Sequence, residues 1–309
     1  MTINNTTSTE RYWICPLYTF TCDSDRIVLD NGVEIKSIPE EFKDYIKRKH
    51  ETRLLQGEIT IPAFIFQLRC NEEIEKPENK LLVSGAEVIR ILVSLINFIH
   101  ACRIHKSGSV FPGESILCIP ETNNWSFGPN ITTYLSKSYF HSFLETNYLL
   151  KAADIPKIDL IIHLLEQFFD LENRTILNRA LRRFSSAYHG DIDDRLVDQM
   201  IAFESLFLGD NKELSFKLRL RIAFFLPEQK ENIFKDIKTA YDLRGQIVHG
   251  AKNINRKKLE EILPKSEEYL RQSLLKFLLL LSKGMSLEEI RNRLDQNILS
   301  NGKSLTYHD

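Results

Sequence analysis

The chain has 309 residues, 43% of them hydrophobic, and a formal net charge of −1. That length points to two domains, and that composition to packed globular cores rather than a disordered polymer. A near-neutral balance excludes a global basic field as the means of holding nucleic acid; dividing the chain at residue 150 leaves −3 before it and +2 after it, too little to assign a partner.

Residues 1–10 are polar and rich in Thr and Asn, which predicts a disordered N-terminus with no apolar stretch of the secretory kind. The five cysteines all precede residue 119 and form no CxxC pair. This usage predicts reduced thiols and a cytoplasmic setting. Residues 11–150 read as a mixed α/β domain of unknown role. Tyr12–Phe20, Arg26–Leu29, Val33–Ile38 and Ile61–Leu68 have strand composition, and Asp30-Asn31-Gly32 is a hairpin turn signal. Val88, Ile91, Leu92, Leu95, Ile96 and Ile99 recur in helical register and predict a helix over Ser84–Ile104. A strand over Ser115–Ile119, a loop over Asn123–Asn130 and a helix starting near Lys137 follow.

Two groups here carry chemistry. His100, Cys102 and His105, with Cys118, have metal-binding side chains, but a structural zinc site shows two clear ligand pairs and only one is visible. A buried cysteine flanked by exposed histidines is the simpler expectation, and no metal or other cofactor is expected. Trp125 and Phe127 in a polar loop suit either stacking on a base or anchoring that loop to its own domain.

From Pro156 the signal is helical. Helices are expected over Lys157–Leu171, Arg174–Tyr188, Asp191–Leu208 (with Asp193 or Asp194 at its start) and Lys212–Leu226. Next come a helix from Pro227 to His249 and Arg256–Ser282 in one or two pieces around Pro264. Ser286 and Glu289 form a capping-box pattern for a last helix. The apolar run at Leu278–Leu281 is far shorter than the ~20 residues that span a bilayer, so it is read as buried and no membrane partner is expected. Short connections favour antiparallel neighbours, and so a bundle over residues 151–309. The fold class is therefore α+β.

The helix ending at His249 has the stripe Ile233, Ile237, Ala240, Tyr241, and Arg244 returns to nearly that face. On the helix from Asp191, Glu204 interrupts the row Val197, Ile201, Leu208. Two opposite charges on apolar rows predict that Glu204 and Arg244 meet across packed helices, either as a pair fixing helix register or as a carboxylate orienting a working arginine. His249 lies five positions after Arg244, about 140° away on an unbroken helix. Gly245 between them is placed to loosen the turn, and Gly250 to close the helix.

An arginine and a histidine so spaced at a helix end resemble the motif of the HEPN superfamily. The wording Arg244-Gly245-Gln246-Ile247-Val248-His249-Gly250, with the upstream runs Leu181–Phe184 and Asp194–Leu206, is similar to its Apea-like branch over roughly residues 155–285. Many active members carry a polar residue where Gly245 stands. The resemblance implies an all-α HEPN-like bundle and metal-independent endoribonuclease activity, in a setting such as antiviral or toxin-like defence. It implies further that two bundles pair as a homodimer and bring both motifs into one cleft. His249 would move the proton of a ribose 2′-OH or of the leaving oxygen, and Arg244 would hold the phosphate charge. The alternatives are a catalytically silent HEPN module that binds RNA or a protein partner, and, as the resemblance also implies, a toxin-like half silenced by a regulatory protein partner, a nucleotidyltransferase. For His249 the plain alternative is a residue favoured by the helix C-terminal dipole.

Overall fold

The computed structural model describes residues 11–55, 60–70, 84–120, 125–131, 147–168, 174–209, 214–227, 229–251 and 253–300. The protein is α+β, an N-terminal antiparallel sheet with helices followed by a C-terminal helical region. It divides into two compact units. One comprises Met1–Ile99, Gly108–Phe140 and Glu145–Asp159; the other comprises His100–Ser107, His141–Leu144 and Leu160–Asp309. The helix expected near Lys137 lies outside the described residues.

In the first unit the strands are β1 (Tyr12–Tyr18), β2 (Phe20–Cys22), β3 (Arg26–Val28), β4 (Glu34–Ser37), β5 (Phe64–Arg69), β6 (Phe111–Pro112), β7 (Ser115–Pro120), β8 (Trp125–Ile131) and β9 (Tyr148–Leu150). The main sheet runs β3-β4-β5-β1-β7-β8, with β6 also paired to β1. The hairpin turn forms as its residues dictate: Gly32 takes φ +81°, and Leu29 N–H donates to the Val33 carbonyl at 2.8 Å. The single strand expected over Tyr12–Phe20 is divided at Thr19, whose φ of +52° turns the chain so that β2 leaves the sheet and pairs parallel with β9. The loop expected over Asn123–Asn130 is corrected to strand β8, because pairing with β7 satisfies its backbone. Helix α1 (Glu40–Lys49) was not foreseen, and α2 (Glu51–Leu55) follows it. Phe42 and Ile46, four apart on α1, pack with Ile14, Ile38, Ile65 and Ile116 as the core beneath the sheet.

Helix α3 (Gly85–His105) matches the expected span. Among the described residues it is the one helix long and apolar enough to cross a bilayer. It buries Ile91, Leu95, Phe98, Ile99 and Cys102 and carries Glu87, Arg90 and Arg103. All five cysteines are free thiols.

The helical region runs α4 (Ile155–Gln167), α5 (Arg174–Ser186), α6 (Ile192–Phe207), α7 (Leu214–Phe225), α8 (Lys230–Val248), α9 (Arg256–Ser282) and α10 (Leu287–Leu299). Helix α6 packs against α5, α7, α8 and α9. Its cap is Asp191, whose carboxylate accepts from the N–H groups of Asp193 and Asp194 at 3.0 Å each, rather than either of those aspartates themselves. At its other end Arg291 donates to the carbonyls of Ser205 and Leu206 at 2.7 and 2.8 Å, and Arg221 to that of Phe207. These carbonyls have no partner within the helix, so two arginines complete it. Helix α9 passes Pro264 without a break. Pro264 is exposed, so the carbonyl it frees faces water. The capping box at Ser286 and Glu289 forms in both directions, at 3.1 and 2.7 Å. Phe207, Phe225 and Phe277 close the core with centroids 4.6–5.2 Å apart.

The last turn of α3 belongs to this second unit and buries His100 and Arg103. Burial, and then the charge of Arg103, push the imidazoles of His100 and His189 down from 6.5 to about 3. Both bind protons more readily in the unfolded chain, so their contribution to stability is complete above pH 6.5 and is lost as the pH falls below it towards 3. Urea unfolding at pH 6.5 and pH 5 is expected to show a loss of about 2 kcal/mol per histidine. His100→Gln and His189→Gln should each flatten that slope; an unchanged slope in both would contradict the assignment.

Candidate active site

Helix α8 is built to end at His249. Its core row is Ile233, Ile237, Ala240 and Leu243, all buried. Pro227 precedes it in a bend instead of opening it; the helix starts at Lys230, behind Gln229 in the left-handed region at φ +55°. At the far end Gly250 takes φ +66°. Ala251 N–H donates to the Gln246 carbonyl at 2.9 Å and Gly250 N–H to that of Ile247 at 3.1 Å, the paired bonds of a Schellman motif. His249 is the C-cap residue and is exposed.

Gly245 sits inside regular helix, with His249 N–H donating to its carbonyl at 3.0 Å and open space where a Cβ would be. The loosened turn expected there is absent, because no neighbour intrudes on the helix to distort it. Arg244 and His249 therefore leave the helix about 140° apart.

Glu204 and Arg244 meet, as the two charged positions in apolar rows required. Arg244 Nη2 lies 3.7 Å from Glu204 Oε2, with the side chains 24% and 22% exposed. The setting differs from the dry interface expected. Val197, Ile201, Glu204 and Leu208 are all half-buried, while α6 turns Leu196, Met200, Phe203 and Phe207 into the core. The pair thus lies at the edge of the α6–α8 contact. Tyr241 adds its ring 5.9 Å from Arg244 Cζ. Arg244 makes no hydrogen bond among the described residues, and its Nε is buried. Burial raises the Glu204 carboxyl above its ordinary value against the opposing pull of Arg244, and raises the Tyr241 phenol as well. Beside Glu204 is a depression of about 310 Å³, lined also by Ile176, Ile201, Ser205, Leu208 and the exposed Arg179. The sequence offered no signal for Arg179. Tyr241 was legible only as a stripe residue.

The result is a partly exposed guanidinium with a carboxylate 3.7 Å away and an aromatic ring beside it, and with no hydrogen bond of its own among the described residues. A fork of this kind matches phosphate or carboxylate. The candidate metal group does not assemble: among the described residues no three His, Cys, Asp or Glu side chains could hold an ion. Of the histidines expected on the surface, His100 is buried along with Ala101–Ile104, and His105 is half-buried. Trp125 and Phe127 lie on β8, not in a loop.

No protein-family model, curated protein or solved structure matches this chain.

Glu204→Gln separates positioning from packing. The pair is a quarter exposed and beyond hydrogen-bond distance, so its net worth is roughly 0.2–1 kcal/mol. The expected outcome is a melting shift of a few degrees at most. If Glu204 positions Arg244, any activity that depends on Arg244 should fall about 100-fold in kcat. A large melting loss with kcat unchanged would make the pair purely structural.

Proposed function

We propose that the helical unit is a HEPN-type, metal-independent endoribonuclease that works as a homodimer. The observation that supports it most is Arg244, flanked by Glu204 and Tyr241 yet without a hydrogen bond among the described residues, five positions before the exposed His249. The ribose 2′-OH attacks the adjacent phosphorus and gives up its proton, the P–O5′ bond breaks, and the leaving oxygen takes a proton. The products are a 2′,3′-cyclic phosphate and a 5′-OH. An imidazole can make either proton transfer near neutrality, and an arginine can hold the charge on the phosphate oxygens. One chain carries one such histidine, on a different side of α8 from Arg244. A two-fold partner supplies the second copy of each and lets Arg244 of one chain work with His249 of the other.

A silent RNA- or protein-binding module is the second reading, favoured by the regular helix at Gly245, which leaves the motif diverging within one chain. Free thiols suit a reducing compartment such as the cytoplasm, and a defence role, by resemblance, would rest on the nuclease activity. Incubating the protein with labelled single-stranded and structured RNA in EDTA tests the proposal, with sedimentation run alongside. Cleavage by a dimer is expected; bound but intact RNA would favour the silent module, and an active monomer would remove the composite site.

A further inference from the structure

Away from the motif, α7 and α8 interleave rings with cations. Arg219 Cζ lies 5.1 Å from the centre of the Phe216 ring and 4.5 Å from that of Phe234. The two rings meet edge to face at 6.1 Å. Arg219 Nε is buried without an acceptor among the described residues. Lys230 Nζ lies 4.5 Å from the Phe224 ring centre. Phe216 stays 50% exposed. On the Phe234 side of this platform is a shallow depression of about 340 Å³, walled by Leu220, Ala223, Phe224 and Phe234 and rimmed by Lys230, Lys235 and one carboxylate, Glu231.

The stripe continues along α8. Lys238 and Tyr241 follow Phe234 by four and seven positions, which keeps all three within about 60° of one face. Tyr241 in turn touches Arg244. From Phe234 the helix runs about 10 Å to Tyr241 and about 22 Å to His249. Lys235 and Lys238 have only exposed carboxylate partners, Glu231 at 4.0 Å and Asp242 at 3.4 Å. Such pairs are worth little, so a phosphate can replace the carboxylate at small cost.

We propose that this stripe is the track along which single-stranded RNA lies, with bases stacked on the Phe216–Arg219–Phe234 platform and phosphates on Lys235 and Lys238, leading the strand to Arg244. The occupant follows from charge and surface together. An apolar protein face would strand the cations that cover these rings, whereas a strand of π faces joined by phosphates matches both. The inference rests on the RNA reading above but does not require that the motif cuts.

The test uses the full chain carrying His249→Ala and a fluorescein-labelled single-stranded RNA of ~16 nucleotides. Anisotropy gives Kd for the parent and for Phe216→Leu, which keeps apolar bulk but removes the π face, Phe216→Trp, which restores it, and Lys235→Glu. About tenfold weaker binding is expected for Phe216→Leu, recovery for Phe216→Trp, and a shallower salt dependence for Lys235→Glu. In the cutting enzyme the same Phe216→Leu change should raise KM and leave kcat alone. Unchanged Kd and KM in Phe216→Leu and Lys235→Glu would overturn the track while leaving the nuclease standing. Stripe-dependent binding without cleavage by the unaltered chain would support the track and overturn the nuclease. Loss of a dimer in Phe216→Leu with RNA affinity unchanged would show instead a surface for a second copy of the chain.

Discussion

Alanine at either Arg244 or His249 is expected to abolish RNA cleavage and to leave the fold in place. Removing the proton-transfer group costs about 10²–10⁴ in rate, and removing the charge that stabilises the phosphorane about 10²–10³. The structural cost is small at both positions. His249 is an exposed C-cap residue, worth ~0.3–1 kcal/mol through the helix dipole. Arg244 is partly exposed and its link to Glu204 is a single 3.7 Å contact. Arg244→Lys keeps the charge but not the fork, and should restore little. Circular dichroism with single-turnover cleavage checks both statements. Cutting that persists in the two folded alanine variants would remove the motif from the mechanism.

The largest effect on stability is expected at Glu267. Its carboxylate is buried on α9, accepting from Tyr188 Oη at 3.0 Å and from Arg195 Nη2 at 3.4 Å. Arg103 Cζ lies 4.5 Å from the centre of the Tyr188 ring, and Arg271 is buried close by, paired with Glu268. Burial, and then the Glu267 charge, hold the Tyr188 phenol well above its ordinary value, so it donates as a neutral hydroxyl. Glu267→Leu strands Arg195 among apolar groups, at a cost of about 3–5 kcal/mol. For a unit of this size that lowers the melting temperature by very roughly 6–20 °C. Glu267→Leu combined with Arg195→Met removes both charges and should recover most of the loss, because apolar replacements of a whole buried pair are often neutral. Scanning calorimetry of the single and double variants decides this; a double variant no better than the single one would contradict it.

Periodicity carried the helices. The spans of α3, α6 and α9, the capping box at Ser286 and the turn at Gly32 follow from local signals, and the structure has each of them. The meeting of Glu204 and Arg244 was legible too, since each charge interrupts an apolar row. What the rows did not convey was how deep they lie: α6 is apolar on more than one face, and the core takes Leu196, Met200, Phe203 and Phe207. Helix α1 is written in Phe42 and Ile46, flanked by acidic residues at its start and basic ones at its end, a pattern of only two apolar positions and so too short for periodicity to separate from a loop. The parallel pairing of β2 with β9 joins residues more than 120 apart, and no local signal reports it. Glu267 and its arginines look like solvated helix charges in one dimension. Only packing α5, α6, α9 and the end of α3 together encloses them.

The chemistry of the cut ends tests the central claim most directly. Mass spectrometry of fragments produced in EDTA should show 2′,3′-cyclic phosphate or 3′-phosphate paired with 5′-OH, and a 2′-deoxy substitution at the cleaved nucleotide should block that cut. Fragments bearing 3′-OH and 5′-phosphate, or cutting that continues past the 2′-deoxy position, would contradict it.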